Sequence, residues 1–204
     1  MIIVSFEGIE GSGKSTQAKL LKENLEKLNF KVKLISEPGG TDLSNKIREI
    51  LLFSEFKISN IAELMLFLAS RAQLIEEIQN INLDFLILDR FIDSTVAYQG
   101  YGRGIDISEI MKLNDFVTKG MKPDITILLD IPVEEGLKRI NKRKKTRIEK
   151  EDISFHKKVR YGYLELAKSD TERIKVINGN TKIEEIQKKI VNIVLEKFKI
   201  KSSQ

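Results

Sequence analysis

The sequence predicts an α/β protein with a three-layer, doubly wound sheet of five parallel strands. Two observations predict this fold. Five short apolar runs recur along the chain, and stretches with helical spacing of apolar residues lie between them. Each run is continuously apolar rather than alternating, which is typical of strands that are covered on both faces, as in a parallel sheet. Strands that alternate with helices form such sheets through right-handed crossovers.

The predicted strands are short and follow one another at intervals that leave room for a helix. They run over Ile2–Phe6, Val32–Ile35, Phe85–Leu88, Ile125–Leu129 and Ile174–Ile177. Helical spacing is shown by Leu21, Leu25 and Leu28, by Leu64, Phe67, Leu68, Arg71 and Ile75, and by Ile183, Ile186, Ile190, Val194 and Phe198. The three prolines, Pro38, Pro123 and Pro132, lie at breaks between these elements.

Length and composition favour one catalytic domain over residues 1–204. The chain is 41% hydrophobic, which is enough for a full core, and no linker or repeat interrupts it. One stretch, at about residues 142–152, is highly charged and has almost no apolar content. We predict that it is a lid over the site, the alternative being an ordinary solvent loop.

Composition excludes several kinds of active site. Cysteine is absent and His156 is the sole histidine, so zinc sites and Cys/His nucleophiles cannot be assembled. Because His156 lies in a polar helical stretch, we predict that it is exposed on the surface. The net charge is +5, but 35 basic residues are spread among 30 acidic ones, so we expect no nucleic-acid partner.

The amino-terminal segment and the apolar runs favour a cytoplasmic protein. Met1–Phe6 lacks a cationic start and leads into a glycine-rich loop, so we interpret it as a strand rather than a signal peptide. No apolar run approaches the length needed to span a membrane. We therefore expect a soluble protein with no membrane partner.

The first strand is followed by a complete GxxxxGK[ST] phosphate-binding loop. Its residues are Gly8, Ile9, Glu10, Gly11, Ser12, Gly13, Lys14 and Ser15, with Thr16 next in the helix. The glycines let backbone N–H groups turn towards a phosphate, and the Lys14 ammonium can reach the β- and γ-oxygens. The Ser15 hydroxyl can ligate Mg²⁺. The loop predicts a protein that uses a nucleoside triphosphate.

The end of the third strand indicates a transferase rather than a GTPase. The guanine-specific NKxD pattern is missing, and the strand ends in Asp89-Arg90 rather than leading to DxxG. Asp89 can hold a Mg²⁺-bound water, and Arg90 enters the cleft outside the carboxyl ends of the strands.

Two further glycine-rich segments and several arginines predict a second anion beside the triphosphate. The segments are Glu37–Thr41, after the second strand, and Gln99–Gly104, after the third strand and a short helix; we expect both to be loops. The arginines are Arg48, Arg71, Arg90 and Arg103. Arginine forks match phosphate oxygens. An acceptor phosphate is already ionised at neutral pH and needs no general base, which suits a chain with one histidine. These features together indicate phosphorylation of a nucleoside monophosphate.

The chain resembles bacterial thymidylate kinases over essentially its whole length. The resemblance is carried by Phe6–Thr16, Glu37–Thr41, Leu66–Gln73, Asp89–Phe91 and Ala97–Gly104. It implies a P-loop NTPase fold of the nucleoside monophosphate kinase type. It also implies transfer of the γ-phosphoryl group of ATP to dTMP to give dTDP, with Mg²⁺ as cofactor and a homodimer formed through packed helices.

The resemblance implies a role for each residue of the acceptor site. Phe67 would stack on thymine, Arg71 would donate to a thymine carbonyl, and Gln99 would help to hold the base. Arg90 would clamp the dTMP phosphate, with Arg48 as a weaker candidate. Tyr98 would crowd the position of a ribose 2′-hydroxyl. A core role for Phe67 is the alternative reading.

Two carboxylates of the acceptor site have open roles. Glu10 would contact the sugar 3′-hydroxyl or help to order Mg²⁺ and water. Glu37 would act through Mg²⁺-bound water or by ordering Arg90.

The donor side lacks the loop arginine that many members of the superfamily carry, because Gly11 and Ser12 stand there. In the bacterial subclass the lid supplies this cation, so the resemblance implies Arg147 first and Arg143 second as the catalytic arginine. Arg139 is a candidate to stack on adenine.

The chain departs from the family pattern at three points, and other functions remain alternatives. Ser36 and Thr146 stand where the family commonly has arginine and aspartate, and the lid is one residue short. The alternatives are a kinase for another pyrimidine monophosphate or for a deoxynucleoside, and a nucleotide-binding regulatory or DNA-associated module that performs no transfer.

Overall fold

The predicted sheet is confirmed in a computed structural model, which describes residues 1–79, 81–141 and 145–200. Its strands are β1 (Ile2–Glu7), β2 (Val32–Ser36), β3 (Phe85–Asp89), β4 (Ile125–Asp130) and β5 (Ile174–Asn178). All neighbouring strands are parallel, in the order β2-β3-β1-β4-β5. The carboxyl ends of β1, β2 and β3 therefore lie side by side.

Every strand extends one residue beyond the predicted apolar run, and the added residue is polar each time. These residues are Glu7, Ser36, Asp89, Asp130 and Asn178. The ladder continues through them, as the pairing of Phe6 with Asp89 and of Ser36 with Asp89 shows. A prediction from apolar runs therefore ends each strand one residue too early, because the last residue of each strand, at the sheet edge beside the cleft, is polar.

The helices cover both faces of the sheet. They are α1 (Lys14–Lys27), α2 (Asp42–Phe53), α3 (Asn60–Ile78), α4 (Ile92–Thr95), α5 (Ile107–Thr118), α6 (Val133–Ile140), α7 (Ile153–Ser169) and α8 (Ile183–Lys197). A π-helical segment, Val96–Gly102, follows α4, and a short 3₁₀ turn, Ile148–Lys150, precedes α7. In the described part of the chain, no helix is long and apolar enough to cross a membrane.

Strand β3 shows why its sequence is continuously apolar. Phe85 and Ile87 are buried in a core cluster with residues of α1 and α8, whereas Leu86 and Leu88 are buried in a cluster with residues of α3. Successive side chains of a strand point to opposite faces, so both faces of β3 are covered. The three layers follow from this arrangement.

The predicted glycine-rich loop at Gln99–Gly104 is corrected by the structure, because most of it is π-helical. Glycine lowers helix propensity, which is why the sequence favours a loop. The glycines are needed for packing instead: a Cβ on Gly102 would lie 2.7 Å from the Phe155 ring, and one on Gly100 would lie 3.1 Å from Ile107. A π-helical turn is found frequently at functional sites.

Helix α6 lies directly against the phosphate-binding loop. A Cβ on Gly136 would lie 2.4 Å from the carbonyl oxygen of Glu10, and one on Gly11 would lie 2.3 Å from the carbonyl oxygen of Gly136. The two backbones approach so closely that only glycine fits at either position. This contact fixes one side of the loop.

Candidate active site

A cavity of about 310 Å³ opens at the carboxyl ends of β1, β2 and β3. Every residue that the resemblance assigns to the acceptor nucleotide lines it. These residues are Glu10, Glu37, Arg48, Phe67, Arg71, Arg90, Tyr98 and Gln99. Lys14, Ser15 and Asp89 line the same cavity, so residues far apart in the sequence meet at one sheet edge.

The phosphate-binding loop holds its lysine at the start of α1. Lys14 is the first residue of that helix, and Gly8, Gly11 and Gly13 all have positive φ angles. Lys14 Nζ donates a hydrogen bond to the carbonyl oxygen of Ile9 at 2.7 Å. Burial, together with the nearby Arg90, lowers the pKa of Lys14 to about 8. The ammonium therefore remains mostly charged at neutral pH and adds to the positive end of the helix.

Ser15 and Asp89 form a small cluster of oxygen atoms beside Lys14. The Ser15 hydroxyl donates to Asp89 Oδ2 at 2.5 Å. A hydroxyl and a carboxylate are hard ligands of the kind that Mg²⁺ prefers. Among the described residues no group of three or more His, Asp or Glu side chains could hold a metal by itself. Two such ligands leave positions open for water and phosphate oxygens, which Mg²⁺ usually keeps among its ligands.

Arg90 adopts a strained backbone conformation at the end of β3. Its φ angle is +74°, which is uncommon for a residue with a side chain. Glu7, at the end of β1, accepts a hydrogen bond from the amide of the next residue, Phe91, at 2.7 Å. The Arg90 amide donates to the carbonyl oxygen of Phe6 at 3.0 Å. These contacts aim the Arg90 side chain into the cavity.

The Arg90 guanidinium is surrounded by oxygen atoms. Nη1 donates to the Gly8 carbonyl and to the Ser94 and Tyr163 hydroxyls at 3.1–3.2 Å. Nη2 donates to Glu10 Oε1 at 3.1 Å and to the Tyr98 hydroxyl at 3.0 Å. The side chain is still 21% exposed, so part of this cation faces the cavity.

Glu7 is a site residue that sequence reasoning missed, because it lies between the apolar run and the first glycine of the phosphate-binding loop and was given no role there. Its Oε2 accepts from Ser94 at 2.6 Å and from Tyr163 at 2.9 Å. Burial, and then the neighbouring Asp93, raises the pKa of Glu7 to about 7. The position one residue past the predicted strand, at the sheet edge, is the signal that could have identified it.

Glu10 connects the phosphate-binding loop to Arg90. Its Oε1 accepts from Arg90 and from the Tyr98 hydroxyl, the latter at 2.5 Å. Burial alone would raise the pKa of Glu10, but His156, Arg90, Lys14 and Tyr98 outweigh burial and lower the pKa to about 2. Glu10 is therefore an anion at neutral pH.

The predicted surface position of His156 is wrong. Its side chain is 1% exposed, and its Nδ1 lies 3.3 Å from Glu10 Oε2. His156, Val159 and Tyr163 are buried at the i, i+3 and i+7 positions of α7. The adjacent Lys157 and Lys158 make the stretch look polar and hide this spacing.

Arg71 and Glu37 form a buried ion pair in the wall of the cavity. Arg71 Nε and Nη2 donate to the Glu37 carboxylate at 2.6–3.0 Å. Nη1 donates to Thr95 and Asn114, and Nη2 also donates to the Phe91 carbonyl. The expectation that Glu37 orders Arg90 is corrected by these contacts, since Glu10 holds Arg90. All five Arg71 N–H groups have acceptors, so donation to thymine would require sharing one of them.

Phe67, Arg48 and Gln99 also line the cavity. Phe67 is half-buried and packs against a core cluster that includes Tyr98. Arg48 Nη1 donates to the carbonyl oxygen of Pro38 at 2.6 Å. Gln99 Nε2 donates to Glu63 Oε1 at 2.9 Å. The aromatic ring and the amide flank the same cavity.

The lid segment lies only partly within the described residues. Arg143, the second candidate for the catalytic arginine, lies outside them. Thr146, Ile148 and Glu149 are buried and line the cavity, so this part is not the solvent loop of the alternative reading.

Arg147, the first candidate, points away from the phosphate-binding loop. Its Nη2 donates to Glu63 Oε2 at 2.5 Å, and its Nε donates to the carbonyl oxygen of Leu51 at 3.0 Å. Arg103 shares the Glu63 carboxylate at 3.1 Å and also pairs with Glu151. Arg103 and Arg147 line a second cavity, of about 660 Å³, so the expected grouping of Arg103 with the other arginines is corrected.

Arg139 lies against the outer side of the phosphate-binding loop. Its Nη1 donates to the carbonyl oxygen of Gly11 at 3.2 Å and to that of Gly179 at 3.3 Å. Its Nη2 donates to Asn180 Oδ1 at 2.8 Å. The guanidinium is thus beside the donor loop, away from the acceptor residues.

Comparison with known proteins identifies the family. The family model described as thymidylate kinase matches residues 6–190. The chain belongs to the thymidylate kinase family. It is 48% identical to a thymidylate kinase from Kosmotoga olearia, over 93% of each chain, and 46% identical to one from Caldanaerobacter subterraneus, over 96% of each. A solved thymidylate kinase from Ehrlichia chaffeensis, 35% identical, covers 95% of this chain and 98% of its own, with a TM-score of 0.77.

Membership of the thymidylate kinase family agrees with the fold and with the location of the cavity. The matched region includes the phosphate-binding loop, all residues of the acceptor cavity and the described part of the lid. The P-loop fold predicted from the resemblance is confirmed by the solved relative.

The buried Arg71–Glu37 pair should contribute strongly to stability. Glu37→Gln would leave part of the Arg71 charge unmatched at a position that is 1% exposed, so we expect a loss of about 3 kcal/mol in the free energy of unfolding. Urea unfolding monitored by circular dichroism would measure it. The control is Glu76→Gln, which breaks the exposed pair with Lys119 and should cost less than about 1 kcal/mol. Equal losses in the two variants would contradict the assignment.

Proposed function

We propose that this chain transfers the γ-phosphoryl group of ATP to dTMP and releases dTDP and ADP. The observation that carries the proposal is that two cations of different origin, Lys14 and Arg90, line one cavity. Lys14 belongs to the phosphate-binding loop. Arg90 follows β3, has a strained backbone conformation, and its side chain faces that loop. This arrangement suits a reaction between two polyanions that must be aligned and neutralised.

The acceptor phosphate would bind to the exposed part of the Arg90 fork. Arg48, which lines the same cavity, would approach the same anion. Because this phosphate is already ionised, the reaction needs no general base, and Glu10 stays anionic with a pKa of about 2. Positioning and charge neutralisation then account for catalysis.

The base and sugar of dTMP would occupy the wall formed by the aromatic and amide side chains. Phe67 would stack on thymine, and Gln99 would help to hold the base. Tyr98, fixed by Glu10 and Arg90, would exclude a 2′-hydroxyl. Glu10 would contact the sugar 3′-hydroxyl or order water, and Arg71 with Glu37 would shape the wall behind the base, with Arg71 sharing an N–H with a thymine carbonyl.

The donor nucleotide would bind through the phosphate loop, from Gly8 to Thr16, with Arg139 beside adenine. Mg²⁺ is the proposed cofactor, held by Ser15 directly and by Asp89 through water. When bound, it would neutralise charge on the β- and γ-phosphate oxygens. Lys14 contributes the protein's own charge at the same place.

The lid would supply the remaining cation on closure, from Arg147 or from Arg143. Arg147 would have to exchange the Glu63 carboxylate for the phosphates. A mobile arginine of this kind completes a site only when both nucleotides are present, which limits hydrolysis of ATP by water.

We also propose that residues 1–204 form a single catalytic domain that works in the cytoplasm, where ATP is available. The family match, over residues 6–190, supports a single unit.

A panel of nucleoside monophosphates tests the acceptor. Purified protein with ATP and Mg²⁺ should release ADP with dTMP in preference to dUMP, UMP and dCMP. In Arg90→Ala, the KM for dTMP should rise about 100-fold, because a charge-assisted fork to phosphate is lost. The KM for ATP should change little, and both values come from steady-state kinetics.

Two variants serve as controls for Arg90. Arg90→Lys keeps the charge but loses the fork, so it should lie between wild type and Arg90→Ala. Arg139→Ala should raise the KM for ATP and leave that for dTMP unchanged. Thermal unfolding checks that each variant is folded. An unaltered KM for dTMP in Arg90→Ala would remove the acceptor assignment.

The effect of substitutions on kcat decides which lid arginine is catalytic. Arg147→Ala should lower kcat at least 100-fold with little change in the KM for dTMP, because the cation acts in the transition state. Arg103→Ala, which removes the other arginine on Glu63, should keep most of kcat. Full turnover in Arg147→Ala would transfer the role to Arg143.

We propose a homodimer formed through the helices around α3. Ile61 and Met65 of α3 are 55% and 46% exposed, and Phe53 of α2 is 54% exposed. Ile61 and Met65 lie one helical turn apart on α3, and neighbouring exposed apolar side chains of this kind mark protein interfaces. Analytical ultracentrifugation should give twice the chain mass of 23.4 kDa, and Met65→Glu should shift the species towards the monomer. A wild-type monomer at micromolar concentration would contradict the proposal.

A further inference from the structure

The sole histidine of the chain lies beneath the acceptor site with two ring nitrogens that lack ordinary partners. His156 is 1% exposed, and within the described residues neither Nδ1 nor Nε2 makes a hydrogen bond of normal geometry. The same holds for Oε2 of Glu10, which lies 3.3 Å from Nδ1. Buried polar atoms are nearly always hydrogen-bonded. Two such atoms that face each other at this distance indicate a contact that belongs to the site.

The other oxygen of Glu10 is fully used. Oε1 accepts from Arg90 Nη2 at 3.1 Å and from the Tyr98 hydroxyl at 2.5 Å. A carboxylate held through one oxygen can still rotate about its last bond, because that torsion has a broad energy profile. A donor on Oε2 would stop this rotation. His156 is the side chain placed to supply that donor.

We propose that His156 is a positioning residue of the acceptor site: its Nδ1–H donates to Glu10 Oε2 and so holds Oε1 against Arg90 and Tyr98. The inference rests on the proposed function, because it concerns the site assigned to dTMP. His156 touches neither nucleotide in this account. It acts through Glu10 on the phosphate clamp and on the tyrosine beside the sugar.

The surroundings of Glu10 make a histidine suitable for this task. Lys14 and Arg90 are the cations that face the carboxylate from the phosphate-binding loop and from the end of β3. In the proposed reaction, both cations bind phosphate groups of the nucleotides. An imidazole N–H on the buried side of Glu10 can donate to one carboxylate oxygen and leave both cations to the phosphates.

Packing holds the His156 ring in place beside Glu10. The ring of His156 meets that of Phe155 edge to face, with centroids 5.5 Å apart. Val159 and Tyr163, on the same face of α7, are buried beside it. Nδ1 is the ring nitrogen that lies 3.3 Å from Glu10 Oε2.

Three substitutions of His156 separate positioning from packing. In His156→Asn, the side-chain amide nitrogen can occupy about the place of Nδ1; in His156→Gln, it falls nearer the place of Nε2. His156→Leu has no donor. We expect the Gln and Leu variants to raise the KM for dTMP about tenfold, because a hydrogen bond to a charged group is lost. The Asn variant should stay within about threefold of wild type, and the KM for ATP should be unchanged in all three.

The outcomes of this series are distinct. Equal KM values for dTMP in the Asn and Gln variants, or an unchanged value in the Leu variant, would overturn the inference. A wild-type protein that does not phosphorylate dTMP would overturn the proposed function instead. Arg90→Ala, assayed alongside, establishes that the KM for dTMP reports on the acceptor site.

The protonation of the ring gives a second test that does not depend on activity. Because His156 is the only histidine, both imidazole nitrogen signals of an untagged ¹⁵N-labelled sample belong to it, and their couplings to the carbon-bound ring protons distinguish Nδ1 from Nε2. We expect a hydrogen on Nδ1. A neutral ring with its hydrogen on Nε2 alone would overturn the inference, since Nδ1 could then not donate to Glu10.

Discussion

The ion pair between Arg90 and Glu10 is the interaction on which the site depends. It joins the end of β3 to the phosphate-binding loop, two elements that are far apart in sequence and adjacent in the sheet. Arg90 adopts a positive φ angle to make this contact, and such strain persists only where the surroundings hold it in place. Glu7 supplies part of that support through the amide of Phe91. One carboxylate therefore fixes the side chain, and the other fixes the backbone.

The arginines around the cavity differ in how far they are buried and in what they contact. Arg71 is 1% exposed and gives all of its N–H groups to protein acceptors, so it shapes the wall. Arg90 is 21% exposed and keeps a face towards the cavity. Arg147, on Glu63, sits outside the cavity and would join it through a conformational change. Glu63 also holds Gln99, so one carboxylate links the lid to the acceptor wall.

Much of the fold was accessible from the sequence, because continuous apolar runs and one loop motif define it. The strands were found to within one residue, and the missed residues were the polar ones that bound the cleft, Glu7 and Asp89 among them. The pairing of side chains was less accessible. Nothing in the spacing of Glu10, Glu37 and Arg90 tells which carboxylate meets which arginine, since that depends on the strand order. His156 was misjudged because two lysines beside it hide the buried face of α7.

A crystal structure with dTMP and ADP tests the central claim most directly. The account predicts a phosphate oxygen of dTMP within hydrogen-bonding distance of the Arg90 guanidinium, with Glu10 still bound to that guanidinium and thymine against Phe67. It would be contradicted by a dTMP phosphate bound elsewhere while Arg90 kept only the protein partners that it has here.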